Sequence, residues 1–250
     1  MKVVVIGGTG LIGTKLVARL TEHGHEAVPA SPNTGVNTLT GEGVKEVLVG
    51  ANVLVDVSNS PSFADDDAMN FFRTATTNLI SAAENAGVGH YVALSVVGVD
   101  RQPEVGYFRA KVEQERLIRE SGLPYSIVRA TQFFEFAGGV ADSSMVDGAV
   151  HLPGAGVQPM AADDVAAAVG RTAAGEPVNG IREVGGPEVF GLDSWIRTVL
   201  VARSDPREVV TDPNAPYFGA VPSENDLLPG PGVTLATTTL GDWLARESKA

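Results

Sequence analysis

No cysteine occurs in the 250 residues, which removes disulfides, thiolate nucleophiles and cysteine metal ligands, and leaves nothing that calls for an oxidising compartment. Basic residues are scarce: 18 Lys and Arg stand against 30 Asp and Glu, a net charge of -12. Such a surface repels phosphate backbones and anionic membranes, so neither direct nucleic-acid binding nor membrane binding is expected. The four His (His23, His25, His90 and His151) have no metal-ligand spacing, and no metal is expected. The apolar run in "MKVVVIGG" is too short for a signal peptide, and no later stretch supplies the ~20 apolar residues of a membrane span. The expectation is a cytoplasmic protein.

What the chain does have is a 44% hydrophobic composition in alternating segments. Short apolar runs, "KVVVI", "EAVPA", "NVLVDV", "HYVALS" and "YSIVRA", alternate with amphipathic segments near 11–23, 41–49, 65–87 and 105–121. That is the pattern of βαβ units: an α/β, Rossmann-type, doubly wound parallel sheet buried on both faces. Beyond about residue 135 come short strands and turns, an Ala-rich helix in "AADDVAAAVGRTAAG" and another in "LDSWIRTVLVAR". The expected organisation is a single domain: residues 1–135 form the dinucleotide-binding core and 136–250 mainly a smaller C-terminal substrate lobe over the carboxyl ends of the strands. The Pro/Gly-rich stretch 212–232 reads either as a lid or as a poorly ordered loop.

"VVVIGGTGLIG" places Gly7, Gly10 and Gly13 between the first strand and the first helix. A pyrophosphate has to reach backbone N–H groups at a helix N-terminus, which a Cβ at Gly7 or Gly10 would obstruct, while Gly13 lets helix and strand pack closely. A dinucleotide is therefore the expected cofactor. Where an acid would hold the ribose of NAD, the second strand ends in Ser31-Pro32-Asn33-Thr34. With no acid to repel a 2′-phosphate, and with Ser31, Asn33 and Thr34 able to donate to one, NADP (as NADPH) is favoured over NAD; turn chemistry alone is the competing reading.

Tyr107 and Lys111, in "YFRAK", are four apart on a helix and share a face. An ammonium beside a phenol lowers its pKa, making Tyr a better proton donor to a carbonyl oxygen receiving hydride, and the same Lys can hold the nicotinamide ribose. Ser95, at the end of "HYVALS", is placed to hydrogen-bond that carbonyl. Ser58 and Asn59 follow the third strand. Thr131, Gln132, Phe133 and Phe134 follow the fifth, where aromatic rings either fill the core or line an apolar slot for a flat substrate; Val97 joins them as a candidate wall. Asp65-Asp66-Asp67 and Asp163-Asp164 read as acidic first turns of helices.

Taken in order, "GGTGLIG", "NSPSF", "ALSVVG", "YFRAK", "RATQFFEF" and "QPMAADDVA" resemble the atypical short-chain dehydrogenase/reductases of the NmrA-like group, NAD(P)H-binding proteins that include quinone reductases and redox sensors. The resemblance extends to about residue 190. It implies a phosphate loop at Gly7, Thr9, Gly10, Leu11, Ile12 and Gly13, and a reducing triad of Ser95, Tyr107 and Lys111 with Asn78 as a fourth member. It also implies that Ser58, Asn59 and Thr131 line the cofactor, and it departs from the family at Pro32, where an Arg is frequent. The resulting expectation is an NAD(P)H-dependent oxidoreductase acting on a small carbonyl or quinone with Tyr107 as proton donor. The alternatives are a non-catalytic NADP(H)-binding sensor and a nucleotide-sugar epimerase or dehydratase, which usually needs a larger C-terminal domain.

Overall fold

A computed structural model describes residues 1–247. In chain order its elements are β1 (Lys2–Ile6), α1 (Leu11–Glu22), β2 (Glu26–Ala30), α2 (Val44–Leu48), β3 (Val53–Asp56), α3 (Asp65–Ala86), β4 (His90–Val96), α4 (Gly106–Glu120), β5 (Tyr125–Ala130), α5 (Ala137–Ser143), β6 (Met145–Val146), β7 (Ala149–Leu152), β8 (Gly156–Val157), α6 (Ala162–Ala174), β9 (Gly180–Gly185), β10 (Phe190–Gly191), α7 (Leu192–Ala202), β11 (Val209–Thr211), β12 (Thr234–Leu235) and α8 (Leu240–Glu247).

Seven strands form a parallel sheet in the order β12-β9-β5-β4-β3-β1-β2. Successive residues of β1 serve opposite faces: Val3 and Val5 pack with Ile12 and Leu16 of α1 and Val165 and Val169 of α6, whereas Val4 and Ile6 pack with Leu48, Leu79 and Ile118. This two-sided burial is why the strands read as continuous apolar runs. Pro29, which donates no backbone hydrogen bond, is tolerated in β2 because β2 is an edge strand. The chain turns to opposite sides after β1, towards β2 in one direction and β3 in the other, so the crevice between the carboxyl ends of β1 and β3 is the topological switch point, where open α/β sheets bind ligands.

Several expectations change. The second helix is confined to Val44–Leu48 because Gly41 and Gly43 have φ of 81° and 70°, which no right-handed helix permits. The chain returns to the sheet after residue 135: α6 packs on the same face as α1, and β9 and β12 extend the edge. A second core, with Phe134, Leu152, Trp195, Val199 and Trp243, holds the smaller lobe together. The 212–232 stretch has defined backbone, with Tyr217 and Leu227 buried in that second core. Arg101 fastens it by donating to the carbonyls of Asn225 (3.1 Å) and Leu228 (2.5 Å). Among the described residues no helix is long and apolar enough to cross a membrane.

Candidate active site

At the switch point the turn Gly7–Gly13 shows a division of labour among its glycines. Gly7 has φ 76°, and a Cβ there would lie 2.9 Å from the Ser58 backbone. A Cβ on Gly13 would overlap the Gly7 carbonyl oxygen and sit 2.6 Å from the Gly8 Cα. Both are required by the protein's own packing. Gly10 is different: φ is -84° and the nearest atom to a Cβ is 3.4 Å away, so nothing inside the chain demands glycine. Gly10 is also the N-cap of α1, which has no side-chain cap and no acid in its first turn. Open space above uncapped N–H groups at the positive end of a helix fits a pyrophosphate. Thr9, Gly10 and Leu11 are exposed on that side, while Ile12 and Gly13 face inward.

The neighbouring strand ends continue the cradle. Ser31 is buried at the end of β2 with no partner for its hydroxyl, a group that burial penalises unless a ligand meets it. Thr34 is occupied locally, its hydroxyl accepting from the Ser31 N–H (2.9 Å), and Asn33 is exposed. Past β3, Asp56 accepts from the Ser58 hydroxyl (2.6 Å) and N–H (3.0 Å), fixing the backbone that abuts Gly7. Asn59 then accepts from the Tyr107 hydroxyl (2.9 Å). The phosphate turn and the phenol are thus linked through two consecutive residues.

Tyr107 lies among aromatic rings: Phe63 at 5.2 Å, Phe72 edge-on at 5.8 Å, Phe108 at 6.3 Å and Phe218 at 6.3 Å with an interplanar angle of 24°. Burial in this apolar nest pushes the phenol well above its ordinary range, contrary to the lowering expected from Lys111. The ammonium of Lys111 is fully engaged beneath the phenol's helix. It donates to the Leu94 carbonyl (2.8 Å) and to Gln114, and lies 4.4 Å from the centre of the Phe72 ring. Burial brings its pKa down to about 8, although the charges of Asp56 and Glu115 oppose the shift. Gln114 in turn donates to Asp56 (2.9 Å), so a buried chain Lys111–Gln114–Asp56–Ser58 runs from α4 to the floor of the phosphate turn.

Ser95 is not gathered with Tyr107. Its hydroxyl donates to Glu115 (2.6 Å), which lies about 12 Å along α4 from Tyr107. Glu115 is also held by Arg129 (2.9 and 2.7 Å), and Arg129 by Asp100 (2.8 Å): Ser95 belongs to a buried ionic cluster. The Arg129 guanidinium holds the Asp100 carboxyl below its ordinary range, against the effect of burial. Asn78 is also elsewhere, about 20 Å along α3 from Asp65, whose carboxylate meets Arg109 near the start of α4 (2.6 Å). Its amide donates to the carbonyls of Thr38 (2.7 Å) and Leu39 (3.3 Å), fastening the β2–α2 connection.

Beyond β5 the expected walls divide. The Thr131 hydroxyl donates to the Gln158 carbonyl (2.6 Å), tying β5 to the lobe, and Val97 and Phe134 are fully buried. Phe134 packs against Trp243 in the lobe core, the commonest fate of a large ring. Gln132 has a buried amide oxygen with no partner, and Phe133, partly buried, stacks on Phe136 at 5.3 Å. The acidic first turns are as expected: Asp65, Asp66 and Asp67 open α3, and Asp163 and Asp164 open α6, with Asp163 pairing Lys15 (3.0 Å).

Sequence reasoning missed three contributors. Asp56, an acid inside the apolar run "VLVDV", was the visible signal of a buried network. Glu135 accepts from the Ala162 N–H at the start of α6 (3.0 Å) and from the Trp243 indole (3.2 Å), and burial raises its pKa. Phe218, over a hundred residues from Tyr107, gave no local sign at all.

The family model described as NAD(P)H-binding matches residues 7–173. Divinyl chlorophyllide a 8-vinyl-reductase of Oryza sativa subsp. indica is 28% identical over 220 residues, covering 74% of this chain and 54% of that protein. Photosystem II assembly factor Ycf39 of Synechocystis is 25% identical over 150 residues, covering 54% of this chain and 46% of that one. The chain thus spans about half the length of the curated relatives it matches. MoeE5, solved in complex with UDP-glucose and NAD, shares the fold with a TM-score of 0.74, 18% identity and coverage of 100% of both chains. With the glycine turn at the β1/β3 switch point and the family match across it, the chain belongs to the NAD(P)H-binding family.

Proposed function

We propose that the protein is an NAD(P)H-dependent oxidoreductase that reduces a small carbonyl or quinone substrate, with Tyr107 as the proton donor. The observation that carries this reading is the continuity Gly7–Ser58–Asn59–Tyr107, which sets a phenol beside a dinucleotide cradle and inside an apolar ring nest. When bound, the nicotinamide supplies the hydride. The Tyr107 hydroxyl supplies the proton to the acceptor oxygen, breaking its O–H bond as the new one forms, and Asn59 holds the phenol in place beforehand. The phenol is protonated at neutral pH, as any phenol is; burial raises its pKa, which weakens it as an acid, so the proton passes only as the arriving hydride makes the acceptor oxygen basic. Lys111 is a positioning residue in this scheme: through Gln114 and Asp56 it steadies Ser58 under the phosphate turn. NADP is the preferred cofactor, supported by the unpartnered Ser31 hydroxyl and the absence of an acid at the end of β2. Residues 1–135 then serve as the dinucleotide-binding part and the later lobe as the substrate part, in a cytoplasmic protein.

The test is NADPH oxidation with a panel of small quinones and ketones. Tyr107→Phe should lower kcat by about 100-fold or more, with NADPH affinity, read by fluorescence titration, unchanged. Equal turnover in the variant removes Tyr107 from the chemistry, and tighter binding of NADH than NADPH overturns the cofactor preference.

A second reading has its own support. Ser95 and Lys111 both have partners away from the Tyr107 hydroxyl, and the Synechocystis relative is named an assembly factor rather than an enzyme. A regulator that binds NADP(H) and conveys redox state to a partner needs no assembled triad. Binding of both cofactor forms, with no acceptor in the panel consuming NADPH, would select it.

A further inference from the structure

The turn Tyr217–Ala220 sits over Tyr107. Tyr217 and Ala220 exchange backbone hydrogen bonds (2.7 and 3.3 Å) around Phe218 and Gly219, whose φ values are 52° and 92°. Two consecutive left-handed residues make a tight hairpin turn of the kind that favours Asn-Gly. A bulky Phe at the first of these positions is disfavoured by about 1 kcal/mol, so its ring contacts have to offset that strain. They are extensive: the Phe218 ring lies 5.6 Å from Phe63, 6.5 Å from Phe108 and 6.3 Å from Tyr107, nearly parallel to the last. Ala220 adds to the small cluster of Val99, Val105 and Phe108 below.

The flanks of this turn are buried and its tip is half exposed. Tyr217 is buried on one side; on the other, Leu227 is buried and Arg101 holds the carbonyls around it. Between them, Phe218 is 45% and Val221 51% exposed. A ring that is half in water, strained at its backbone and stacked on the candidate proton donor occupies the face of Tyr107 where an acceptor has to lie. Asn59, meanwhile, holds the Tyr107 hydroxyl.

We propose that the Phe218 ring fills the acceptor subsite in place of substrate: a planar, conjugated ring stacks on Tyr107 in its stead, and the 217–220 turn moves aside on its buried flanks to admit it. Phe218 is then the specificity-determining residue, since it excludes acceptors that cannot replace its stacking contacts. The inference rests on the reductase reading, because it takes Tyr107 as the residue an acceptor approaches.

The test separates ring binding from turnover. Phe218→Asn removes the ring and keeps the turn, since Asn-Gly is the favoured pair there. Equilibrium dialysis of the full chain with 1,4-naphthoquinone and with cyclohexanone, without NADPH, reads the subsite directly. The expected result is about tenfold tighter naphthoquinone binding in the variant, with cyclohexanone, which the native ring excludes, also bound more tightly and melting temperature preserved. Unchanged or weaker naphthoquinone binding in a folded variant overturns the proposal. Tighter binding with no NADPH consumed by either form keeps the ring subsite and removes the reductase reading. NADPH consumption with the same naphthoquinone KM in both forms does the reverse.

Discussion

The phosphate turn and the Ser95/Tyr107/Lys111 constellation are both short patterns of chemically suggestive residues, yet the fold treats them differently. The turn is assembled by local geometry: residues 7–10 join one strand to one helix, and Gly7 and Gly13 answer to atoms of the turn itself or of the adjacent strand end, while Gly10 has open space. The constellation depends on which way three side chains point from a helix and a strand packed face to face. There, burial and charge pairing decide, and they lead Ser95 to Glu115, Lys111 to Leu94 and Gln114, and Tyr107 to Asn59. A motif whose function resides in the backbone survives folding as read; one whose function resides in side-chain aim is open to capture by other partners.

The contrast can be broken at its strongest point first. Gly13→Ala should destabilise the protein by about 3 kcal/mol, because its Cβ overlaps the Gly7 carbonyl. Gly10→Ala should leave the denaturation midpoint in place and weaken NADPH binding, because its Cβ has open space that the pyrophosphate takes. Paired urea melts and cofactor titrations separate these two, and equal stability losses would refute the division among the glycines.

A smaller effect tests the other region. Ser95→Ala should reduce stability by about 1.5 kcal/mol through the lost bond to a buried carboxylate, with turnover per folded molecule unchanged. A selective fall in kcat would return Ser95 to the reacting centre.

The smallest effect is a slope. Lys111 titrates near pH 8 when folded against 10.5 when unfolded. Between those values the unfolded chain binds more protons, so this group makes stability rise with pH across the window. Burying the charged form is a penalty below pH 8 that deprotonation relieves. Lys111→Met should therefore flatten the stability curve between pH 8 and 9.5, and a difference curve of unchanged slope would show that the ammonium is not desolvated.

Much of the architecture was legible because it is periodic. The runs "KVVVI", "NVLVDV", "HYVALS" and "YSIVRA" are mostly apolar and form strands buried at nearly every step, as strands covered on both faces must be. β9 was not, since "GIREVG" has exposed Arg182 and Ile181 and is a strand only because the edge of β5 pairs with it. The start of the second helix was misread for a local reason, two left-handed glycines that sequence marks as turns or caps alike. At the site, Gly7, Gly13, Ser58 and Asn59 lie where the pattern put them. Asn78 and Phe134 are placed elsewhere, because an amide finds backbone carbonyls and a large ring finds a core as readily as a ligand.

The sequence by itself determined the parallel sheet, the glycine turn and the location of the crevice, since these follow from hydrophobic period, backbone sterics and chain order. Only the tertiary structure decided which polar groups remained for a ligand. It paired Ser95 and Lys111 with protein partners, left Gly10 and the Ser31 hydroxyl open, and brought Phe218 from a distant loop onto Tyr107. The reason is physical: buried polar and aromatic side chains settle with whatever neighbours the folded chain supplies, and those neighbours are remote in sequence.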